Sequence, residues 1–259
     1  MSAIIIEHDL VHYEAIGRGH PIVFLHGWVG SWRYWWPTMQ IMAASQYRAY
    51  AFDLWGFGDS GKRRERYDFE SYINLLGDFT EQLGLPSATL VGHSLGAAVA
   101  LRYACEQPEW VERVMTVSLP VPGQLGMNAG TFVGRLTGRR SDFGYPEVDS
   151  EVIKTDEVAL ATSTQTLLEM DLIPDLNECP RPHLLVYGGK DPFISPLADG
   201  WVAGLGIGSR TRQLNLDGSR HFPMLDETSK FTRLLMDFVD AGDDLEGIEV
   251  KDQWRRRTR

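Results

Sequence analysis

Cysteine is scarce in this 259-residue chain, which holds two, Cys105 and Cys179. Two cysteines do not make a disulfide framework, so an ordinary hydrophobic core has to hold the fold. Cys105 falls in a stretch that reads as helix, which predicts a packed and inert thiol. Long apolar runs are missing too. None approaches the ~18 residues of a membrane span. The start, Met1 to Asp9, has no basic region ahead of its very short apolar run. Neither a membrane span nor a signal peptide is expected, and a cytoplasmic protein is the default. Positive charge is in deficit, with 25 Lys and Arg against 35 Asp and Glu, a formal net charge of −10. That balance argues against a nucleic-acid partner. The basic tip Trp254–Arg259 follows the acidic stretch 243–246, and residues 242–259 read as a solvated, charged C-terminal tail. No His/Cys/Asp group shows metal-ligand spacing, so neither metal nor cofactor is expected.

What the chain does have is Thr89-Leu-Val-Gly-His-Ser-Leu-Gly-Ala-Ala98. It reads as a short apolar strand, a sharp turn carrying Ser94, and a helix. Gly92 to Gly96 fits G-x-S-x-G, a nucleophile elbow. A serine on a strained strand-to-helix turn leaves no room for side chains two residues either side, and glycine removes that clash. The helix that follows starts beside the serine, so its free N–H groups and positive dipole end face a developing oxyanion. By composition alone such a pentapeptide arises in roughly one chain of this length in ten. The surrounding order therefore has to carry the argument.

The length suits one large α/β domain or two small ones. Ile4 to Ile6 and Val11 to Ile16 read as strands, and Pro21 to Leu25 as a strand buried on both faces. That third strand ends in His26-Gly27-Trp28, where Gly27 allows a tight turn and the Trp28 N–H becomes a candidate oxyanion donor. Trp28, Trp32, Trp35, Trp36 and Trp55 crowd into the same region, lining a pocket or filling a core. Trp32 to Met42 reads as a helix whose start Pro37 limits, and Arg48 to Leu54 as a strand. Gly56, Gly58 and Gly61 spell G-x-G-x-x-G. The charged loop after them leaves no helix N-terminus for a pyrophosphate, so a dinucleotide site is rejected. Phe69 to Leu83 places Phe69, Tyr72, Ile73, Leu76, Phe79 and Leu83 on one helical stripe, and Val111 to Leu119 is a strand. From Pro120 to Cys179 glycine and proline interrupt the pattern, with a helical stretch at 151–172. This stretch reads as an insertion over the sheet's active edge, where Met127, Phe132, Leu136, Phe143 and Leu168 are available to line a pocket. Strand 183–187, helix 195–205, strand 211–216, the loop 217–223 and a closing helix marked by Phe231, Leu234, Leu235 and Phe238 complete the order.

Five pieces now stand in sequence: His26-Gly27-Trp28, the Asp53 to Ser60 run, Gly92 to Gly96, Gly188-Gly-Lys-Asp191-Pro192 and Gly218-Ser-Arg-His221-Phe222-Pro223. In that order and spacing the chain resembles an α/β-hydrolase from about Ile4 to Ala241. The resemblance implies a mostly parallel eight-stranded sheet flanked by helices, with a core of residues 1–119 and 180–241 and a lid over 120–179. The chemistry can also be argued directly. A serine hydroxyl is a weak nucleophile at neutral pH and needs an adjacent base. His221 can take the proton, and Asp191 at a strand end can hold its other nitrogen. Ser94, Asp191 and His221 follow the order this architecture uses. The backbone N–H groups of Trp28 and Leu95 would form the oxyanion hole. Asp217 and Asp226 read as loop and helix-start carboxylates, His93 as structural, His183 as the start of a buried strand and Asp53 as a loop brace.

The expected function is hydrolysis of a small or medium apolar or aromatic ester through an acyl-enzyme. The expected partner is a small-molecule ester, and Trp28, Trp32, Met127, Phe132, Phe143 and Phe222 are the candidate pocket residues. Other chemistries of the resembled family stay open, among them lactone hydrolysis, perhydrolysis, hydroxynitrile lysis and carbon–carbon bond hydrolysis. Phe222 stands where the carbon–carbon hydrolases often carry Trp. Relatives that open epoxides or haloalkanes normally use Asp where this chain has Ser94. A ligand receptor built on the same scaffold is the non-enzymatic alternative.

Overall fold

The computed structural model describes residues 2–121, 143–198 and 210–251. The strands are β1 Ser2–Ile6, β2 Asp9–Gly17, β3 His20–Leu25, β4 Tyr47–Phe52, β5 Ala88–His93, β6 Val111–Val117, β7 His183–Gly188 and β8 Thr211–Leu216. The helices are α1 Trp36–Ala44, α2 Phe69–Gln82, α3 Leu95–Glu106, α4 Pro146–Asp149, α5 Glu157–Glu169, α6 Ile173–Glu178, α7 Pro223–Asp226 and α8 Thr228–Val239. The strands form one eight-stranded sheet in the order β1-β2-β4-β3-β5-β6-β7-β8. β1 and β2 pair antiparallel, as do β2 and β4, and every other pair is parallel. This is the α/β-hydrolase architecture expected from the motif order.

The alternation of side chains along each strand sorts the apolar residues into two cores. Val23, Leu25, Leu90, Val114, Leu185 and Tyr187 face one side, where Leu76 and Phe79 of α2 and Ala97 and Leu101 of α3 cover them. Ile22, Phe24, Val91, Met115, Leu184 and Val186 face the other, under Met39 and Met42 of α1 and Phe231, Leu235 and Phe238 of α8. The apolar stripes of α2 and α8 are thus spent on the sheet. α2 begins where Asp68 caps it, its carboxylate accepting from the Ser71 N–H at 2.8 Å.

Parallel pairing sets the strand ends level. Leu25 of β3 lies opposite Phe52 of β4 and Gly92 of β5. His93 lies opposite Val117, Val117 opposite Val186, and Gly188 opposite Leu216. The loops after β3, β4, β5, β6, β7 and β8 therefore leave at one edge of the sheet. The chain steps from β3 to β4 on one side and returns to β5 on the other. Open α/β sheets form their ligand crevice at such a reversal.

Some elements differ from the pattern reading. The helix expected from Trp32 opens as a tight turn at Trp32–Trp35, and α1 starts at Trp36 with Pro37 in its first turn. β6 stops at Val117, because Ser118 turns the chain with φ 49°. The helix expected over 195–205 does not begin at Ser195. Both backbone groups of Leu197 bond instead to the Gln213 side-chain amide, at 3.0 and 2.9 Å. Residues 199–205 lie outside the described residues, as do Met127, Phe132, Leu136 and the basic tip. Cys105 is half-buried, and its thiol donates to the Asp175 carbonyl at 3.5 Å. Among the described residues no helix is long and apolar enough to cross a membrane.

Candidate active site

Ser94 joins β5 to α3 with φ 52° and ψ −112°. An L-residue held there stores of order 1–3 kcal/mol of backbone strain, which the packed strand and helix on either side must impose. The glycines of the turn permit it. A Cβ on Gly92 would collide with the Gly96 carbonyl, and one on Gly96 would meet the His26 and Leu25 carbonyls at 2.6 Å. The serine hydroxyl is buried and has no hydrogen-bond partner among the described residues. Leu95 is the first residue of α3, so its N–H has no carbonyl within the helix to reach.

His221 and Asp191 meet across the ends of β7 and β8. His221 Nδ1 lies 2.8 Å from Asp191 Oδ2. The same oxygen accepts from Ser118 Oγ at 3.1 Å, and Oδ1 accepts from the Phe193 and Ile194 N–H groups at 2.8 and 3.1 Å. Burial pushes the Asp191 carboxyl up. Electrostatic attraction to His221 and its hydrogen bond, with the two backbone amides, outweigh it and hold the group below its ordinary value. An ionised Asp191 accepts the Nδ1 proton and so leaves His221 Nε2 as the basic nitrogen. The His221 ring packs 4.7 Å from the ring of His93, the residue before Ser94.

The loop after β3 closes over the elbow. A Cβ on Gly27 would stand 2.8 Å from Ser94 Cβ. The Leu54 N–H donates to His26 Nε2 at 2.8 Å, so His26 carries its proton on Nδ1 and donates it to the Gly27 carbonyl at 2.8 Å. Burial holds the His26 imidazole down at about 4, which keeps it neutral. The Gly30 N–H reaches the same carbonyl at 3.2 Å. In a planar trans peptide the C=O and the following N–H point opposite ways, so His26 also orients the Trp28 N–H. Val29, β-branched and at φ 53°, is a second strained residue in this loop.

A cavity of about 150 Å³ opens beside His221, walled by Phe143, Tyr145, Pro192, Phe193, Arg220 and Phe222. Phe143 and Phe222 were expected at the pocket. Trp28 is buried, with its indole N–H on Ser163 Oγ of α5 at 2.8 Å. The Trp32 ring packs edge-on against Trp36 at 5.6 Å. Asp226 is a brace, accepting from the Arg220 N–H at 2.7 Å and from the Tyr145 hydroxyl.

Residues 22–233 match the sequence profile of the alpha/beta hydrolase family. The chain belongs to the α/β-hydrolase family. It superimposes on the esterase of Exiguobacterium antarcticum with a TM-score of 0.80 at 22% identity, over 92% of this chain and 98% of that one. E-2-(acetamidomethylene)succinate hydrolase matches with a TM-score of 0.80 at 20% identity, over 93% and 98%. In sequence, an uncharacterized protein of Mycobacterium bovis is 25% identical over 268 residues, covering 88% of this chain and 78% of that protein. A soluble epoxide hydrolase of Corynebacterium sp. is 34% identical over 113 residues, 44% of this chain and 39% of that protein.

Three parts of this α/β-hydrolase escaped the sequence reading. Ser118 holds the Asp191 carboxylate, and Tyr34 reaches both Gly27 and His93. The third is a group in which ligand atoms of His12, Asp53 and Asp59 lie within 4.8 Å of one another. A cation would find both carboxylates engaged, with His12 Nε2 alone lacking a hydrogen-bond partner among the described residues. Asp53 accepts the Trp32 N–H at 2.8 Å and the Asp59 N–H at 2.9 Å. Asp59 pairs with Arg33 at 3.1 Å and Lys154 at 2.8 Å. This donor set suits an ion-pair network better than a metal. Spacing could not have found these contacts, because Ser118 and Asp191, Tyr34 and His93, and His12 and Asp53 are far apart in the chain.

Proposed function

We propose that this α/β-hydrolase is a serine esterase acting on small to medium carboxylic esters with an apolar or aromatic group. The observation that carries the reading is the buried Asp191–His221 pair, its imidazole 4.7 Å from the ring of His93, together with the adjoining strained Ser94, whose hydroxyl has no hydrogen-bond partner among the described residues. In this reading Ser94 attacks the ester carbonyl while His221 Nε2 takes its proton. The Trp28 and Leu95 N–H groups hold the oxyanion. His221 returns the proton to the departing alcohol, and the alcohol leaves. Water, deprotonated by His221, then attacks the acyl-enzyme and frees the acid. Two hydrogen-bond donors aimed at a developing oxyanion are worth about 10²–10³ in rate each.

The aromatic walls around His221 support an apolar group on the substrate. The segment before β7 supports a lid over residues 120–179. It docks onto the edge loops through Trp28 to Ser163, and through the Asp156 N–H to the Gly56 carbonyl at 2.8 Å. Epoxide opening fits less well. Serine attack on an epoxide carbon makes an ether, which has no carbonyl for water to attack, so the enzyme could not turn over.

The test is a chain-length series of p-nitrophenyl esters with wild type beside Ser94→Ala, and fluorophosphonate labelling of both. Turnover and labelling that disappear together in the variant support the reading, with kcat down by ~10⁴ or more. Ester turnover that survives Ser94→Ala sinks it. A single equivalent of product without further turnover would instead make the protein a receptor.

A further inference from the structure

Gly27, Tyr34, His93 and His221 come from four separate places in the chain, yet one line of hydrogen bonds joins them. The Gly27 N–H donates to the Tyr34 hydroxyl oxygen at 2.6 Å. Tyr34 Oη lies 3.0 Å from His93 Nδ1. His93 Nε2 lies 2.8 Å from the His221 carbonyl. Donor logic fixes every proton. The carbonyl of His221 can only accept, so His93 Nε2 carries a proton. Burial pushes the fully enclosed His93 ring well below its ordinary value, so it is neutral and its Nδ1 is bare. The bare Nδ1 can only accept, so the Tyr34 O–H points at it, and the Tyr34 oxygen is left to accept from Gly27. Burial also keeps the phenol protonated.

Packing holds this line from the sides. The Tyr34 ring meets His93 edge-on at 5.6 Å and Phe222 at 5.6 Å. Phe222 lies 5.0 Å from the His93 ring. Tyr34 is 0% and His93 1% exposed, so water cannot substitute for a missing partner. At its two ends the line touches backbone, not side chains. One end is the peptide N–H before the oxyanion turn, and the other is the carbonyl of the residue proposed as the base.

We propose that Tyr34 and His93 are positioning residues, a proton-ordered link that holds the oxyanion turn, the Ser94 elbow and the His221 loop in a single register. The inference rests on the reading of Ser94 and His221 as nucleophile and base. Its function is geometric. A tetrahedral centre needs the Trp28 N–H, the Ser94 oxygen and His221 Nε2 converging on one point, and an ångström of drift in one loop costs about 10² in rate. Neither residue touches substrate, so their loss acts on kcat and spares binding.

Tyr34→Phe removes one oxygen and keeps the ring. It is expected to lower kcat for p-nitrophenyl esters by about 10²-fold and leave KM within about threefold. His93→Gln keeps an amide N–H for the His221 carbonyl and is expected to stay within about tenfold of wild type, where His93→Leu falls by about 10²-fold or more. In ¹⁵N-labelled wild type, the His93 ring shifts should report a neutral Nε2–H tautomer. Ser94→Ala is run alongside. If it retains turnover, the enzyme reading itself fails, and the tautomer result still judges the link. If Ser94→Ala is dead but folded Tyr34→Phe keeps kcat within twofold, the positioning role is overturned. Should Tyr34→Phe not fold, the His93 pair decides, and equal losses in Gln and Leu overturn it. An Nδ1–H tautomer at His93 overturns it as well.

Discussion

Two buried polar clusters flank the same sheet edge, and they are built on opposite plans. Around Asp191 one carboxylate collects four hydrogen bonds, from His221, Ser118, Phe193 and Ile194, and the neighbouring serine hydroxyl is left uncommitted. Around Asp53 the carboxylates are answered by cations. Asp59 meets Arg33 and Lys154, and buried Glu151 meets Arg33 at 3.2 Å and Lys154 at 3.6 Å. The first cluster spends its contacts on orienting one imidazole. The second ties the loop after β4 to residues 151–154 beyond β6. Both would look alike as a tally of buried charge. The difference lies in which atom is left unpartnered: near Asp191 it is a serine hydroxyl on a strained turn, while near Asp53 the atoms without a hydrogen bond, such as His12 Nε2 and Glu151 Oε2, sit inside a network of ion pairs.

The comparison breaks most sharply at the two aspartates. Asp191→Asn keeps the shape but turns a donor toward His221 Nδ1 or forces the other tautomer. Ester kcat is expected to fall by ~10⁴-fold with little change in melting temperature. Asp53→Asn is expected to do the reverse. Asn can accept only one of the two N–H groups that Asp53 now holds, so stability drops by about 1–3 kcal/mol. Measured kcat should stay within about tenfold. Urea unfolding and steady-state kinetics on both variants read this directly. Equal effects on both quantities in both variants would erase the distinction.

Acid separates the clusters next. Buried His26 and His183 are held down at about 4 and about 3, and His93 is lowered in the same way. Their folded values lie below the unfolded value near 6.5, so their contribution is whole above about pH 6.5 and is lost as pH falls toward 4. Asp53 runs the other way. Burial pushes it up to about 7 against the pull of its two backbone donors, so its penalty grows as pH rises from about 4 to 7. Between pH 7 and pH 5 His26 and His183 each lose about 2 kcal/mol, and Asp53 recovers about 2 kcal/mol. The histidines win, and His93 adds to their side. Urea midpoints should therefore fall by an amount worth at least about 2 kcal/mol from pH 7 to pH 5. Asp53→Asn should steepen that fall, since it removes an opposing carboxyl and leaves only Asp78 and Glu106, also raised by burial, on that side among the described residues.

Much of this arrangement was legible in the chain. The strands and the two amphipathic helices α2 and α8 follow from apolar period and turn residues, because burial on one or two faces writes itself into local sequence. The elbow was legible because its strain demands glycine at Gly92 and Gly96. Asp191 and His221 could be named because each follows a strand end within a recognisable turn. Tyr34 and Ser118 could not. Tyr34 sits in a run of aromatics that reads as core, and nothing local shows that its hydroxyl bridges two loops. Ser118 is one serine at the end of an apolar strand. Long-range hydrogen bonds leave no periodic mark, so Asp53 could be read as a loop brace while its neighbour His12 stayed hidden.

Ser118 gives the finest probe of how rigidly the Asp191 side is set. Its hydroxyl supplies one of four bonds to Asp191, its own φ is 49°, and its N–H is anchored to the Val186 carbonyl at 2.8 Å. Ser118→Ala deletes the hydroxyl and keeps the strained turn. Three bonds remain on the carboxylate, so the orientation of His221 should survive with a loss of about 1 kcal/mol, near a fivefold drop in kcat/KM. Because a bond that favours the ionised form is gone, the carboxyl should move up toward its ordinary value, and activity should fail at a higher pH on the acid side. Ser118→Gly relieves the backbone as well as removing the bond. If strain at Ser118 helps aim Asp191, Gly should be more stable than Ala and less active. If the hydroxyl alone matters, the two variants should show the same kcat/KM, and the turn would belong with the passive framework of the sheet.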